Sequence, residues 1–329
     1  MKVCVVGAGG FGTAIAQIVS RNVDSVILIA RNPSIIRSIN ENHENPKYHP
    51  RVKLNSNIKA KHIQKAHEVF RKSDFIFMAV PSGSLRSVVS GFANSLGDKN
   101  VISGIKGIEY PSLKTMTEVI REETGSENVF SISGPTFAVE LIRNVPSGLT
   151  IGAPRNYWRE LGELLESPNL FLDYSENIKG VEFCGVLKNV YAVAMGILDN
   201  YILGENDRYL FLNICFKEMS KILHHMGYEE LLPKFCGFGD FILTACSSKS
   251  RNKTLGLMLG KRMILSKKSS VTIESLKSIK AVRKLVSGIK LPALELIVKV
   301  IENPNETNIY VDRFFKSLKE EEYNVEQTK

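Results

Sequence analysis

Lys2-Val3-Cys4-Val5-Val6-Gly7-Ala8-Gly9-Gly10-Phe11-Gly12-Thr13-Ala14 decides the fold. A short β-branched run stops at Gly7, and the apolar residues Ala14 to Val19 read as a helix, so the order is strand, glycine turn, helix. Gly7, Gly9 and Gly12 stand at G-x-G-x-x-G spacing, in which one glycine turns tightly, one admits a pyrophosphate and one lets helix and strand touch. Alone that spacing is a weak signal. Here it follows a strand and opens a helix, which predicts that Gly7, Gly9, Gly10, Phe11 and Gly12 hold a nicotinamide dinucleotide.

Working outward, further apolar runs lie at Val26 to Ile29, Phe75 to Val80 and Val101 to Ser103, and near residues 129 to 133 and 148 to 152. They alternate with helical stretches. The alternation predicts an α/β fold: a Rossmann-type, mostly parallel sheet with right-handed crossovers and helices on both faces, binding ligands at its strand ends. After about residue 178 the strand signal fades and helical periodicity takes over, as in Phe211-Leu212, Cys215, Met219 and Ile222-Leu223. The expected division is a dinucleotide-binding domain over 1–178 and an all-helical, substrate-binding domain over 179–329. Asn303-Pro304-Asn305 marks a turn before one last short helix, with fraying expected from Lys319 onward.

The second run ends at Arg31, where an NAD-selective site carries an acidic residue. A guanidinium there suits the 2′-phosphate of NADPH, the alternative being an exposed loop cation. The five cysteines are odd in number and no two lie within four residues, so neither a disulfide framework nor a zinc site is suggested, and a reducing cytoplasm fits. His224-His225 point about 100° apart on a helix and cannot share a metal, so no metal is expected. Four glycines within residues 7 to 12 argue against a signal peptide, and no later run reads as approaching the roughly 20 apolar residues of a membrane span. A soluble protein without stable membrane insertion is expected.

The net charge is +9, and residues 249 to 290 hold twelve Lys and Arg against Glu274 alone. That excess suits an anionic partner, part of it facing a phosphate and the rest a solvated surface. The segment contains no Phe, Tyr or Trp to stack on bases, which argues against nucleic acid.

Five motifs in order carry a likeness to a known family: Gly7 to Ala14, Ile105-Lys106-Gly107-Ile108-Glu109, Ser133-Gly134-Pro135-Thr136-Phe137-Ala138-Val139-Glu140, Gly185-Val186-Leu187-Lys188-Asn189-Val190, and Gly237-Phe238-Gly239-Asp240 running on to Ser250-Arg251-Asn252. From Gly7 to about Pro292 the chain resembles bacterial NAD(P)-dependent glycerol-3-phosphate dehydrogenase. The resemblance implies reduction of dihydroxyacetone phosphate to sn-glycerol 3-phosphate with NADPH or NADH. It also implies supply of that product to phospholipid synthesis, and a homodimer.

That reaction asks for a hydride donor at one face of a carbonyl, a proton donor for the developing alkoxide and a cationic clamp on a phosphate. Lys188 lies on the apolar stretch Val186 to Ala194, its amine projecting from a mostly buried element toward the cleft, and burial disfavours a charged amine. As the counterpart of the family's lysine it is the expected general acid. The resemblance implies that Lys106 contacts substrate and cofactor, that Gly134, Thr136 and Asp240 contact substrate, and that Ala138 contacts cofactor. Arg251 suits the phosphate through its planar fork, with Ser250 and Asn252 donating around it, and the resemblance assigns Arg251 to cofactor as well. Glu274 matches a cofactor-contacting glutamate, although Ser275 replaces the glycine that follows it in the family. Asp199-Asn200 and Val139 are further departures, placing loop geometry rather than reaction type in question. The competing readings are a related dehydrogenase with the same helical domain acting on another small phosphorylated or acidic substrate, and a non-catalytic dinucleotide sensor. The latter has no need of Lys106, Lys188 and Asp240 together.

Overall fold

The computed structural model describes residues 1–201, 203–263 and 270–326. Strands β1 (Lys2–Val6), β2 (Ser25–Ala30), β3 (Ile58–His62), β4 (Phe75–Met78), β5 (Asn100–Ser103), β6 (Val129–Ser133), β7 (Ser147–Gly152) and β8 (Leu170–Ser175) form one sheet in the order β3-β2-β1-β4-β5-β6-β7-β8. Every neighbouring pair is parallel except β6 with β7. The chain reverses its winding between β1 and β4, and open α/β sheets bind ligands beyond the strand ends at such a point.

Between the strands run α1 (Gly10–Val19), α2 (Pro33–Asn42), α3 (Ala66–Arg71), α4 (Ser82–Ser90), α5 (Met116–Thr124), α6 (Ala138–Leu141) and α7 (Trp158–Leu165). Side chains alternate across a strand. Val3 and Val5 of β1 therefore join one core with Ile15, Ile39 and Leu161, while Cys4 and Val6 join another with Val69, Leu85 and Ile120. With both faces covered, a central strand is apolar throughout, which makes the inner strands conspicuous in the sequence. β3 and β8 do not stand out as apolar runs in the sequence. These are the edges, where Lys59 and Lys61 in β3, and Asp173 in β8, interrupt the apolar run.

Two compact units divide the chain: Met1–Gly185 with Pro233–Asp240, and Val186–Leu232 with the chain from Phe241. The first is thus discontinuous. Its returning segment is stitched in by Cys236 N–H donating to Thr150 Oγ1 at 2.9 Å and Phe235 N–H donating to Asp173 at 3.0 Å.

The second unit is helical, as expected. Its elements are most of α8 (Ile178–Leu198), α9 (Glu205–His225), all of α10 (Asp240–Cys246) beyond Asp240, α11 (Arg251–Gly260), α12 (Ser270–Leu285), α13 (Pro292–Glu302) and α14 (Thr307–Glu326). Two expectations are corrected. α8 is 21 residues long with a mean hydropathy of 1.5, long and apolar enough for a membrane span, but 94% of that stretch is buried in protein, as befits a core helix. The last helix is not short: α14 runs 20 residues, anchored by buried Val311 and Phe314, the latter edge-on to Phe211 at 5.3 Å.

α8 and α11 cross at two glycines. A Cβ on Gly196 would stand 2.0 Å from the Lys253 carbonyl oxygen, and one on Gly256 2.0 Å from that of Val193, so neither position tolerates a side chain. Glu218 of α9 ties two further helices to that pair. Its carboxylate accepts from Ala293 N–H at 2.6 Å, Leu294 N–H at 3.1 Å and the Tyr191 hydroxyl at 3.1 Å. Pro292 at the first position of α13 has no N–H, so Glu218 satisfies the first amides of that helix that need a partner.

Candidate active site

In the first unit the glycine turn has the stereochemistry that a dinucleotide requires. Gly7 has φ +113°, and a Cβ there would meet the Ala79 carbonyl oxygen, just beyond β4, at 2.5 Å. At Gly12 a Cβ would lie 2.0 Å from the Gly7 carbonyl oxygen, so α1 touches the strand end. A Cβ added to Gly9 would meet no atom of the described residues within 4 Å apart from its chain neighbours, leaving an open face. Gly10 faces the Ala138 methyl, 3.6 Å from where its own Cβ would stand, so Ala138 at the start of α6 is brought to the turn. The Phe11 ring packs over Gly104, where a Cβ would clash at 2.5 Å. Arg31 follows the end of β2 and is exposed, with Asn32 capping α2 beside it.

Lys106 lies beyond the end of β5 in a loop anchored at several points. Its ammonium donates to Asp240 at 3.2 Å and to the Gly134 carbonyl at 3.3 Å. Asp240 is fully buried, and one charge buried with its partner keeps a fixed geometry because separation would leave it uncompensated. Gly134 also accepts from Thr136 Oγ1 at 3.1 Å, so the four expected substrate contacts of this unit form one hydrogen-bonded group. Gly134 itself is pressed on β7, 2.3 Å from a carbonyl oxygen if it carried a Cβ. Gly185 on α8 admits the Lys106 chain in the same manner, its Cβ position lying 3.2 Å from Lys106 Cγ.

Two anchors of the Lys106 loop escaped the sequence reading. Arg86 of α4 grips Glu109 through two hydrogen bonds of 2.7 and 2.8 Å and also pairs with Glu122 and Glu123. The Arg86 guanidinium holds the Glu109 carboxyl below the ordinary carboxylate range. Glu182 of α8 is buried and accepts from Thr117 N–H at 2.9 Å and from its hydroxyl at 2.5 Å, at the start of α5. Burial pushes its carboxyl up to about 7, opposed by those Thr117 donors. Nothing local in the sequence pairs residue 86 with 109, or 182 with 117.

In the second unit, Lys188 stands on α8 and is 6% exposed, as its apolar surroundings in the sequence suggest. Ser250 is the N-cap of α11, its hydroxyl accepting from Lys253 N–H at 3.3 Å, and Arg251 follows it at the first helical position, exposed. Asn252 Oδ1 accepts from the Ser275 hydroxyl at 2.6 Å. The departure at Ser275 therefore joins α12, which carries Glu274, to the Ser250-Arg251-Asn252 turn. The basic segment divides in two: Lys253 turns inward, 3.0 Å from Asp199, whereas Lys277, Lys280 and Lys284 are exposed on α12. Lys253 is thus no part of a solvated or phosphate-facing surface. Lys267 and Lys268 lie outside the described residues. Asp199-Asn200 is equally built in, the Asn200 amide donating to the Leu257 carbonyl at 3.2 Å. Among the described residues no cluster of His, Cys, Asp and Glu is suited to a metal.

Comparison with known proteins bears on all of this. Residues 2–158 match the profile of the NAD-dependent glycerol-3-phosphate dehydrogenase N-terminus, and residues 177–312 that of its C-terminus. A glycerol-3-phosphate dehydrogenase [NAD(P)+] from Methanothermobacter thermautotrophicus is 55% identical over 323 residues, covering 98% of this chain and all of the relative. The chain belongs to this family. The bacterial label is too narrow, since that relative is archaeal, although one from Caulobacter vibrioides is 34% identical over 310 residues, covering 91% and 92% of the two chains. The crystal structure of glycerol-3-phosphate dehydrogenase from Coxiella burnetii superposes with a TM-score of 0.85 at 25% identity, over 95% of this chain and 98% of the other. Membership makes the chain an oxidoreductase that couples glycerol 3-phosphate to NAD(P), and the open, glycine-lined turn fits the dinucleotide. The non-catalytic sensor is thereby set aside.

Proposed function

We propose that the chain works chiefly as a reductase, transferring hydride from NADPH or NADH to dihydroxyacetone phosphate and releasing sn-glycerol 3-phosphate for phospholipid synthesis, as a cytoplasmic homodimer. The observation that carries the assignment of roles is the hydrogen-bonded Lys106–Asp240–Gly134 group at the sheet's ligand-binding edge, in which Asp240 is buried and Lys106 half-buried, in a chain that also retains a buried Lys188. Bound cofactor supplies the hydride; the chain supplies everything else. Lys188 donates the proton to the developing alkoxide and takes it back in the reverse direction. Lys106, oriented by Asp240 and the Gly134 carbonyl, brings positive charge to substrate and cofactor, with Thr136 beside it. Arg251 clamps the phosphate, assisted by Ser250 and by the Asn252 amide, whose oxygen is already engaged by Ser275. Glu274 and Ala138 line the cofactor, and Arg31 accepts the 2′-phosphate of NADPH.

In this division of labour residues 1–178 bind dinucleotide and 179–329 bind substrate, with Lys106, Gly134 and Thr136 contributed to the substrate from 1–178 and Asp240 from the segment Pro233–Asp240 that clusters with them. The test is NADPH oxidation with dihydroxyacetone phosphate beside unphosphorylated dihydroxyacetone. Turnover of the phosphorylated ketone and little of the other is expected, and equal use of both would remove the phosphate clamp from the reading.

A further inference from the structure

Two buried side chains that play no part in the chemistry above brace the glycine turn. Both come from the segment that follows α2. Asn45, 0% exposed, donates through Nδ2 to the Ala8 carbonyl at 3.1 Å and to Thr13 Oγ1 at 2.9 Å. His49, 2% exposed, has Nε2 at 2.7 Å from the Gly10 carbonyl. A carbonyl oxygen can only accept, so Nε2 carries the proton and Nδ1 is the bare nitrogen of a neutral ring. Among the described residues Nδ1, which is buried, has no hydrogen-bond partner, so a second N–H there would be stranded. Burial, aided by the charge of Arg143, accordingly holds the imidazole below its ordinary value.

In a trans peptide the C=O and the following N–H lie on opposite sides of one rigid plane. Holding the Ala8 carbonyl therefore aims the Gly9 N–H away from Asn45, and holding the Gly10 carbonyl aims the Phe11 N–H away from His49. The Ala8–Gly9 plane lies outside α1, where glycine-rich backbone rotates readily and a plane turned over would present a carbonyl to an incoming anion in place of an amide; the Gly10–Phe11 plane opens α1, and His49 adds a second hold to that of the helix's first turn. We propose that Asn45 and His49 are positioning residues for the dinucleotide, locking two peptide planes of the Gly7–Gly12 turn so that its N–H edge is preorganised for the pyrophosphate. This rests on the reading of that turn as the dinucleotide site. The brace acts on the ground common to NADH and NADPH, so it sets affinity for both and leaves the choice between them to Arg31.

The experiment titrates NADPH and NADH by fluorescence into the full-length enzyme and its His49→Leu, His49→Gln and Gly9→Asp variants, with steady-state kinetics alongside. His49→Leu removes one neutral hydrogen bond and is expected to weaken both cofactors about two- to tenfold. It should raise cofactor KM in step, leaving kcat at saturating cofactor and the KM for dihydroxyacetone phosphate unchanged. His49→Gln, whose side-chain amide can again donate to the Gly10 carbonyl, should recover most of the loss. Gly9→Asp sets a carboxylate on the open face and should abolish binding. Unchanged affinity in His49→Leu beside lost binding in Gly9→Asp overturns the brace while sparing the site. A His49→Gln variant as weak as His49→Leu, or one in which kcat falls together with affinity, also overturns it. Normal binding by Gly9→Asp overturns the dinucleotide site and the brace together.

Discussion

Lys188 is the residue on which the proposed chemistry depends most, and methionine tests it. Lys188→Met keeps most of the volume and the helix propensity of α8 but removes proton and charge, so folding and NADPH affinity should persist. Loss of general acid catalysis should lower kcat by about 10² to 10⁴. A kcat close to the parent's would pass the role to Lys106 or to water. Arg31 is judged by a ratio. Arg31→Asp should shift the NADPH-to-NADH preference by about tenfold or more, the value of a charge-assisted contact to phosphate of roughly 1.5 to 3 kcal/mol. An unmoved ratio would make it a surface cation. These two, with Lys106, Asp240 and Arg251, can be named as candidates from the sequence because each falls inside or beside a motif with its own stereochemical logic. Arg86, Glu182, Asn45 and His49 cannot, because their partners lie 23 to 65 residues away and become visible only when the chain folds.

Glu218 receives the first amides of α13 and the hydroxyl of Tyr191, three residues beyond Lys188 on α8. Glu218→Gln would turn an amide N–H toward donors that need an acceptor. A loss of roughly 1 to 3 kcal/mol is expected, read as a lower melting temperature. An unchanged Tm would show that water replaces the carboxylate there. Glu182 makes a pH prediction. Its carboxyl is raised by burial from 4.5 to about 7, so the folded state holds a proton that the unfolded state releases. The stability this contributes is complete below about 4.5 and is lost as pH rises through about 7. Glu182→Gln should therefore gain on the parent protein between pH 5 and pH 8 in thermal denaturation, and a pH-independent difference would refute the shift. The inner strands and α1 were readable because burial on both faces makes them uniformly apolar. β3 and β8 were not, since edge strands carry the charges that protect them, and α14 was shortened in the reading because its last residues are charged.

Taken whole, the chain does not divide at one point. The sequence places a boundary at 178, whereas the first compact unit runs to Gly185 and takes back Pro233–Asp240. Those eight residues supply Asp240 to Lys106 and two backbone donors to β7 and β8. A fragment of residues 1–178 should consequently be soluble only poorly or melt well below the intact protein. Native-like melting and NADPH affinity in that fragment would show the returning segment to be dispensable. The same discontinuity matters during synthesis. A ribosome that has just joined Gly185 has yet to make Asp240, 55 residues later, which at roughly 5 to 20 residues per second is a wait of about 3 to 11 seconds. Throughout that interval the nascent sheet exists without its closing segment, and the ammonium of Lys106 faces no carboxylate from residue 240. The dinucleotide-binding half, though first to be translated, is completed only after the first 47 residues of the helical half, Val186–Leu232, have been made.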